Sequence, residues 1–455
     1  MPTTPTTFRV ECTCGERFHA DERSLGRRLR CRRCGRAVDV RRPGREWKPG
    51  ATWDLARRRE RERDTERARG GSATATTGRR RRRSVRSRLR RLLRSPFRGA
   101  TRREAAATGV GRVVSTLSWA YLAGACVAAL LIWGFGDAWW PATVLLFSGR
   151  WVALLPLALL VPAALLLARR SLAPLLAAML IVLFPVMGFR TGWRRALPAP
   201  TAAGTHLRVV TLNADGGDWI VAQLPFLLRA WSPDVVALQE CGAELAASAR
   251  ALAAGGGGWY EHDVGGLCLL ARHSIRGAAV MDREALERVR QARSGIGGAG
   301  YVVRYVLDTP AGAVTLTNLH LETPRKGFEG LTGADGVDSW RLRENTVLRD
   351  IESDLARRWA VGGGTVGTGA PLLVVGDFNT PVESRIFRRH WGDLADAFSV
   401  AGVGLGMTKY NGWIRARIDH VLAGDGWHVD RAAVGDDVGS DHRPLVVDLT
   451  LEKRR

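Results

Sequence analysis

Hydrophobic positions divide the chain into three stretches. They are sparse up to about residue 112, nearly continuous from 113 to 190, and broken into short runs from about 205 to 451. Within the middle stretch, Val113 to Phe135 carries no charge, Trp151 to Ala168 lies between Arg150 and the pair Arg169-Arg170, and Ser171 to Phe189 ends at Arg190. Each segment approaches the ~20 apolar residues needed to cross a hydrocarbon core, so residues 113–190 are expected to form three transmembrane helices. Pro156, Pro162, Pro174 and Pro185 should kink these spans, and Trp133, Trp139, Trp140 and Trp151 fall where an interfacial aromatic belt is expected. Leu145 to Phe147 is too short to span and reads as loop or interfacial. The long polar stretch ahead of the first span argues against a cleaved signal peptide.

Beyond residue 205 the pattern alternates between strand and helix. Leu207 to Leu212 reads as a strand ending at Asn213, Ile220 to Ala230 as a helix, and Asp234 to Leu238 as a buried strand followed by Gln239-Glu240. Ala313 to Leu319 is a further strand delivering His320, and Trp340 to Trp359 a long helix. Leu372 to Val375 is a buried strand that breaks at Gly376-Asp377-Phe378-Asn379, where two polar side chains emerge together. Arg417-Ile418-Asp419-His420 and Ser440-Asp441-His442-Arg443 each set Asp and His beside an apolar strand. Polar residues recurring at strand ends suggest one cleft lined from several strands.

Charge separates the two ends of the chain. The formal net charge is +24, yet residues 1–112 hold 34 basic and 12 acidic side chains, whereas residues 201–455 hold 28 basic against 31 acidic. Bulk electrostatics therefore give the C-terminal half no argument for nucleic acid. Residues 43–112, poor in apolar side chains and containing Arg79 to Arg83 in unbroken series, are expected to be a disordered linker. Ser84 to Arg98 interleaves Arg with Leu89, Leu92 and Leu93 and could lie on an anionic membrane, with nucleic acid as the competing partner for the same arginines.

Cysteines follow the same division. Cys12, Cys14, Cys31 and Cys34 form a Cys-x-Cys and a Cys-x-x-Cys, each pair followed by glycine. Four thiolates on two turns can close a tetrahedral Zn²⁺ site, which supplies folding energy that residues 8–42 cannot draw from a core. The segment resembles small bacterial zinc ribbons, although Cys-x-Cys departs from the commoner double Cys-x-x-Cys; its partner is unknown. Basic residues flanking the spans place the N-terminus in the cytoplasm and the domain after Phe189 outside, an assignment that Arg190, Arg194 and Arg195 weaken. A zinc ribbon in a reducing compartment agrees with this, and Cys241 and Cys268 would then face an oxidising side. Two cysteines alone do not establish a disulfide.

Seven pieces in order carry a resemblance: Thr211-Leu212-Asn213-Ala214-Asp215, Leu238-Gln239-Glu240, Leu269-Leu270-Ala271-Arg272, Asn318-Leu319-His320-Leu321, Gly376-Asp377-Phe378-Asn379, Arg417-Ile418-Asp419-His420 and Ser440-Asp441-His442-Arg443-Pro444. Residues 205–451 resemble the endonuclease/exonuclease/phosphatase superfamily of metal-dependent phosphoesterases. The resemblance implies a two-sheet α/β sandwich with Mg²⁺ or Mn²⁺ at its site. Phosphoester hydrolysis needs a neutralised phosphoryl group and an activated water, and hard oxygen donors suit such an ion. Asn213 and Glu240 are the expected ligands, with Asp441 adding charge near the metal and Asp215 a secondary candidate. By the resemblance, His442 contacts the scissile phosphate or assists proton transfer, supported by Asp419. Asp377 orients or deprotonates water, while Asn379 and His320 donate to phosphoryl oxygens. The general base is left open. His262, His273, His390, His420 and His428 read as structural, as do Asp436 and Asp437.

Members of this superfamily act on nucleic acids, phospholipids or inositol phosphates, and the core does not choose among them. Arg325-Lys326 with Arg385, Arg388 and Arg389 could meet phosphates, but solvated surface is the simpler reading. The sequence therefore supports a membrane-anchored phosphodiester hydrolase with a nucleic-acid or phospholipid substrate. A membrane-held binding or regulatory protein acting through its ribbon is the alternative of another class.

Overall fold

The computed structural model describes residues 109–193, 204–217, 220–292, 300–329, 339–362, 370–412 and 414–452, and the backbone of four short N-terminal strands. The chain divides into two compact units, residues 1–75 and 76–455. In the first, β1 (Thr7–Glu11) pairs antiparallel with β2 (Arg17–Asp21), and β3 (Arg28–Arg30) with β4 (Ala37–Asp39). Cys12, Cys14, Cys31 and Cys34 lie outside the described residues, as do the Arg-rich linker and Ser84 to Arg98.

Three helices in the second unit are long and apolar enough to cross a membrane: Gly109–Ala138, Arg150–Leu167 and Arg169–Val186. Pro162 sits inside the second, and a π-helical turn at Val182–Val186 accommodates Pro185 in the third, where neighbouring backbone can absorb the lost donor. Leu145 to Phe147 is not loop but the end of a short helix, Trp140–Phe147, begun by Pro141 in its first turn.

The remaining strands are β5 (Gly204–Asn213), β6 (Val235–Gln239), β7 (Tyr260–Val264), β8 (Leu267–Ala271), β9 (Ser274–Val280), β10 (Tyr301–Thr309), β11 (Gly312–His320), β12 (Leu372–Asp377), β13 (Ala395–Asp396), β14 (Lys409–Asn411), β15 (Ile414–Ala416), β16 (Asp419–Ala423), β17 (Trp427–Val434) and β18 (Leu445–Glu452). They build two six-stranded mixed sheets, ordered β17-β18-β5-β6-β8-β7 and β13-β16-β12-β11-β10-β9, with β14 and β15 as a separate hairpin. The expected two-sheet α/β sandwich is therefore present. Val209, Val235 and Leu269 of one sheet meet Tyr305, Leu316, Val375 and Val421 of the other in a shared core. Strand residues alternate between this core and the outer faces, because side chains have a period of two. Phe378, Phe387 and Trp391 pack with Ala356 and Ala360 of helix Ser339–Val361 over the outer face of the second sheet. The expected helix from Ile220 starts at Leu224 instead, since Pro225 suits a first helical turn.

Bundle and sandwich meet at a buried polar boundary. Arg150, at the start of the second apolar helix, donates to Val186 O at 2.7 Å and lies 3.3 Å from Glu383 Oε2. Asp137 accepts from Ser384 Oγ and from Ile386 N, and Arg388 donates to Trp133 O at 2.7 Å. Arg190 and Gly404 exchange two backbone hydrogen bonds of 2.8 Å. Buried charge persists where it is paired in this way.

Candidate active site

Topology brings the polar strand ends together. β5 runs parallel to β6 and β11 parallel to β12, so Asn213, Glu240, His320 and Asp377 all emerge at carboxyl ends. β16 runs antiparallel to β12 with Asp419 opposite Asp377. β18 runs antiparallel to β5, so Asp441 and His442, just before its start, arrive at the same end. The strand does not break after Val375 but runs on to Asp377, and only glycine fits at 376, where φ is +136° and a Cβ would lie 1.9 Å from Leu319 O.

Asn213 joins the sheets. Its Nδ2 donates to Glu240 Oε1 and to Asp377 Oδ2, both at 3.0 Å, while its Oδ1 accepts from Asp215 N. His320 Nε2 lies 3.7 Å from Glu240 Oε1 and 3.8 Å from Asp377 Oδ2. His442 Nδ1 is 2.8 Å from Asp419 Oδ2, and its Nε2 lies 3.6 Å from Asp377 Oδ2 and 3.7 Å from Asp441 Oδ1. The structure thus unites Asn213, Glu240, His320, Asp377, Asp419, Asp441 and His442. Asn379 sits beside them: its N donates to Asp377 Oδ1 and its Nδ2 to Leu321 O. One amide hydrogen of Asn379 is used in this way.

Electrostatics separate the roles these groups can take. Burial pushes the Asp377 carboxyl up, and the Asp419 charge adds to the shift, against the opposing pull of His442 and His320. Burial would also raise Asp419, but the His442 charge and hydrogen bond hold it below the usual carboxylate range. Burial alone would lower His442; the charges of Asp419 and Asp377 prevail and raise it to about 9. The Asp419 and Asp377 charges thus favour the protonated form of His442, and burial makes Asp377 the more basic of the two carboxyls. Asp215 is raised by burial and by Asp441 and Glu240.

The donor set fits a hard divalent cation. Carboxylates gather around the Asn213 amide, which turns its Nδ2 to Glu240 and Asp377 and its oxygen to Asp215 N, and Asp419 Oδ1 and Asp441 Oδ1 are buried without a hydrogen-bond partner. Atoms of Asp377, Asp419 and His442 come within 4.8 Å of one another, but the Nδ1–Oδ2 contact already occupies the Asp419–His442 pair. Both Asp377 oxygens accept hydrogen bonds, from Asn213 Nδ2 and Asn379 N, which leaves Glu240 and Asp441 as the less committed carboxylates. Asp441 also pairs with Lys409, a neighbour the sequence did not single out.

A supporting layer was also silent in the sequence. Arg349, buried in helix Ser339–Val361, donates to Asn379 O and Thr380 Oγ1, both at 2.7 Å, and to Glu322 O. Glu352, one helical turn on, accepts from Gly300 N and Glu322 N, both at 2.7 Å, and burial raises its carboxyl to about 7. Gln239 Nε2 reaches Asn318 Oδ1 at 2.7 Å between the sheets. Ser440 Oγ donates to Asn213 O and accepts from His442 N, and Thr408 Oγ1 accepts from Asp419 N. Helical spacing places Arg349 and Glu352 on one face, but nothing local distinguishes them from the many charges of that helix. Glu240 has φ +47°, and its neighbour Cys241 is disulfide-bonded to Cys268 of β8, a bond that sequence left open. His420, read as structural, is buried between Asp396 Oδ1 and Thr380 O. Of the basic residues weighed as phosphate contacts, Arg388 belongs to the bundle boundary, Lys326 pairs with Glu322 and Arg389 with Asp350.

No curated protein matches the chain. Among solved structures, an endonuclease/exonuclease/phosphatase from Beutenbergia cavernae is 21% identical, with 54% of this chain and 72% of that chain covered, at TM-score 0.38. The human Nocturnin catalytic domain with bound sulfate anion is 17% identical, covering 55% and 96%, at 0.39. D. rerio TDP2 complexed with single-strand DNA product is 16% identical, covering 54% and 99%, at 0.35. The model of the Endonuclease/Exonuclease/phosphatase family matches residues 210–442, half of the chain and every polar strand end from β5 to the start of β18. This protein is an enzyme of the endonuclease/exonuclease/phosphatase family.

Proposed function

We propose that the protein is a membrane-anchored, divalent-metal-dependent phosphodiester hydrolase. The observation that carries this reading is the pair of 3.0 Å contacts by which Asn213 bridges Glu240 and Asp377, set against the His442–Asp419 pair. Asn213, Glu240 and Asp441 would hold Mg²⁺ or Mn²⁺, which supplies Lewis-acid charge to a phosphoryl oxygen. Asp377, raised by burial, accepts the proton of the attacking water. His442, protonated and oriented by Asp419, meets the phosphoryl oxygens as charge grows, with His320 beside it. Water adds to phosphorus, one P–O ester bond breaks, and a phosphomonoester and an alcohol result.

The three apolar helices support anchoring; were all three to cross, the chain ends before and after them would lie on opposite sides. The Cys241–Cys268 disulfide favours an extracytoplasmic catalytic domain, and four N-terminal thiols favour Zn²⁺ in a cytoplasmic ribbon. The test is hydrolysis of supercoiled plasmid, a phospholipid and a small chromogenic phosphodiester by the full chain, with Mg²⁺ and with chelator, beside His442→Ala. Cleavage of any of these that needs metal and His442 upholds the reading. Turnover unaffected by chelator and by the substitution overturns it.

A further inference from the structure

A cavity of about 940 Å³ opens between the helical bundle and the sandwich, apart from the carboxylate cluster. The bundle contributes Trp151, in the first turn of the second apolar helix, and Met187, one residue past the end of the third. Both stand at helix ends, the level at which hydrocarbon gives way to head groups. Leu405, from the sandwich, also lines it and packs against the bundle cluster of Ala125, Ala178, Val182 and Met187. Val403, on the same lining loop, is 55% exposed, so the apolar surface continues outward.

Charge on the lining has one sign. Arg415 of β15 and Arg431 of β17 line it with Arg150, and no carboxylate stands among the described lining residues. Arg150 is committed to Glu383, whereas Arg415 is exposed and lies over the Tyr410 ring at 5.2 Å. An apolar chamber at a helix-bundle end with planar cationic donors on its wall matches an anionic amphiphile: the acyl chains remove apolar surface from water, and Arg forks suit phosphate.

We propose that this cavity binds an anionic phospholipid, its phosphate toward Arg415 and its acyl chains along Trp151, Met187 and Leu405. The site rests on the membrane-anchored reading but not on hydrolysis, because the lipid is held as a ligand. Its occupant also bears on the active site. Tyr410 lines the cavity while its backbone N donates to Asp441 O at 2.7 Å, and Lys409 bridges to His442, so a filled chamber braces the segment that carries both.

The test uses the full chain in nanodiscs containing phosphatidylglycerol and phosphatidylcholine in equal amounts, read by native mass spectrometry after release. Phosphatidylglycerol should be retained in preference. Arg415→Glu should lower that retention about tenfold, the loss of a charge-assisted hydrogen bond. Ala433→Trp, which fills the chamber from β17 without altering charge, should displace both lipids. Equal retention of the two lipids by the parent protein, or phosphatidylglycerol retention unchanged in Arg415→Glu, overturns the proposal. A chain that does not enter nanodiscs overturns the anchored reading instead, and the site with it.

Discussion

Arg150 and Glu383 form an ion pair with 3.3 Å between Nη1 and Oε2, both side chains almost wholly withdrawn from solvent. Arg150 opens a membrane-type helix, and Glu383 lies four residues beyond Asn379, so one contact ties the bundle to the loop that leaves the active site. Burial opposes the charge on Glu383, but Arg150, Arg417 and Arg190 outweigh it and hold the carboxyl below its usual range. Arg150→Met removes the nearest partner of that buried charge, leaving only Arg417 and Arg190, and should destabilise the protein by up to about 3 kcal/mol. Arg150→Met with Glu383→Gln should recover much of the loss. Thermal unfolding of the two variants in detergent distinguishes them; equal losses would show that the pair is not the source.

Removing the central groups should slow hydrolysis with the fold intact. Glu240→Ala and His442→Ala are expected to cost on the order of 10²-fold or more in kcat. Circular dichroism verifies folding, and near-parental turnover in a folded variant would remove that residue from the site.

A pH dependence follows from His442. Its pKa rises from 6.5 to about 9 in the folded state, so the fold binds its proton more tightly than the unfolded chain does. The resulting stabilisation is complete below 6.5 and lost as pH climbs through about 9. In chelator, Tm should fall across that window. His442→Gln should show a flatter profile there, and an identical slope in both proteins would assign the dependence to other groups.

The disulfide beside Glu240 should matter more for metal than for folding at high metal. Cys241→Ser with Cys268→Ser frees the turn that holds Glu240 at φ +47°. The expected result is a several-fold rise in the Mg²⁺ concentration for half-maximal rate, with kcat at saturating Mg²⁺ within about twofold of the parent, since the ligands themselves remain. An unchanged Mg²⁺ requirement would limit the bond to a role in stability.

Strand ends were legible because their signal is local. Asn213, Glu240, His320 and Asp377 each terminate an apolar run of strand length, and the register of two parallel pairs then aligns them. Asp419 and His442 were legible through their adjacency to β16 and β18. Arg349, Glu352 and Lys409 were not, because their partners lie 30, 52 and 32 residues away and no periodicity marks such pairs. Arg150 flanks a span as the sequence indicates, but its burial against Glu383 comes from tertiary contact that no local pattern marks. The disulfide needed a fold to bring Cys241 and Cys268 together.

The hydrogen bonds between Arg190 and Gly404 come four residues after the third apolar helix ends at Val186. A domain joined by a long free leash would tumble and sample a hemisphere of solution. This one has its pivot stapled almost at the helix end, with Asp137–Ser384 and Arg150–Glu383 as further fasteners. Its mouth keeps one bearing, so an anchored copy would meet partners by gliding sideways, a search in two dimensions in which crowding of the surface, rather than bulk concentration, sets the encounter rate.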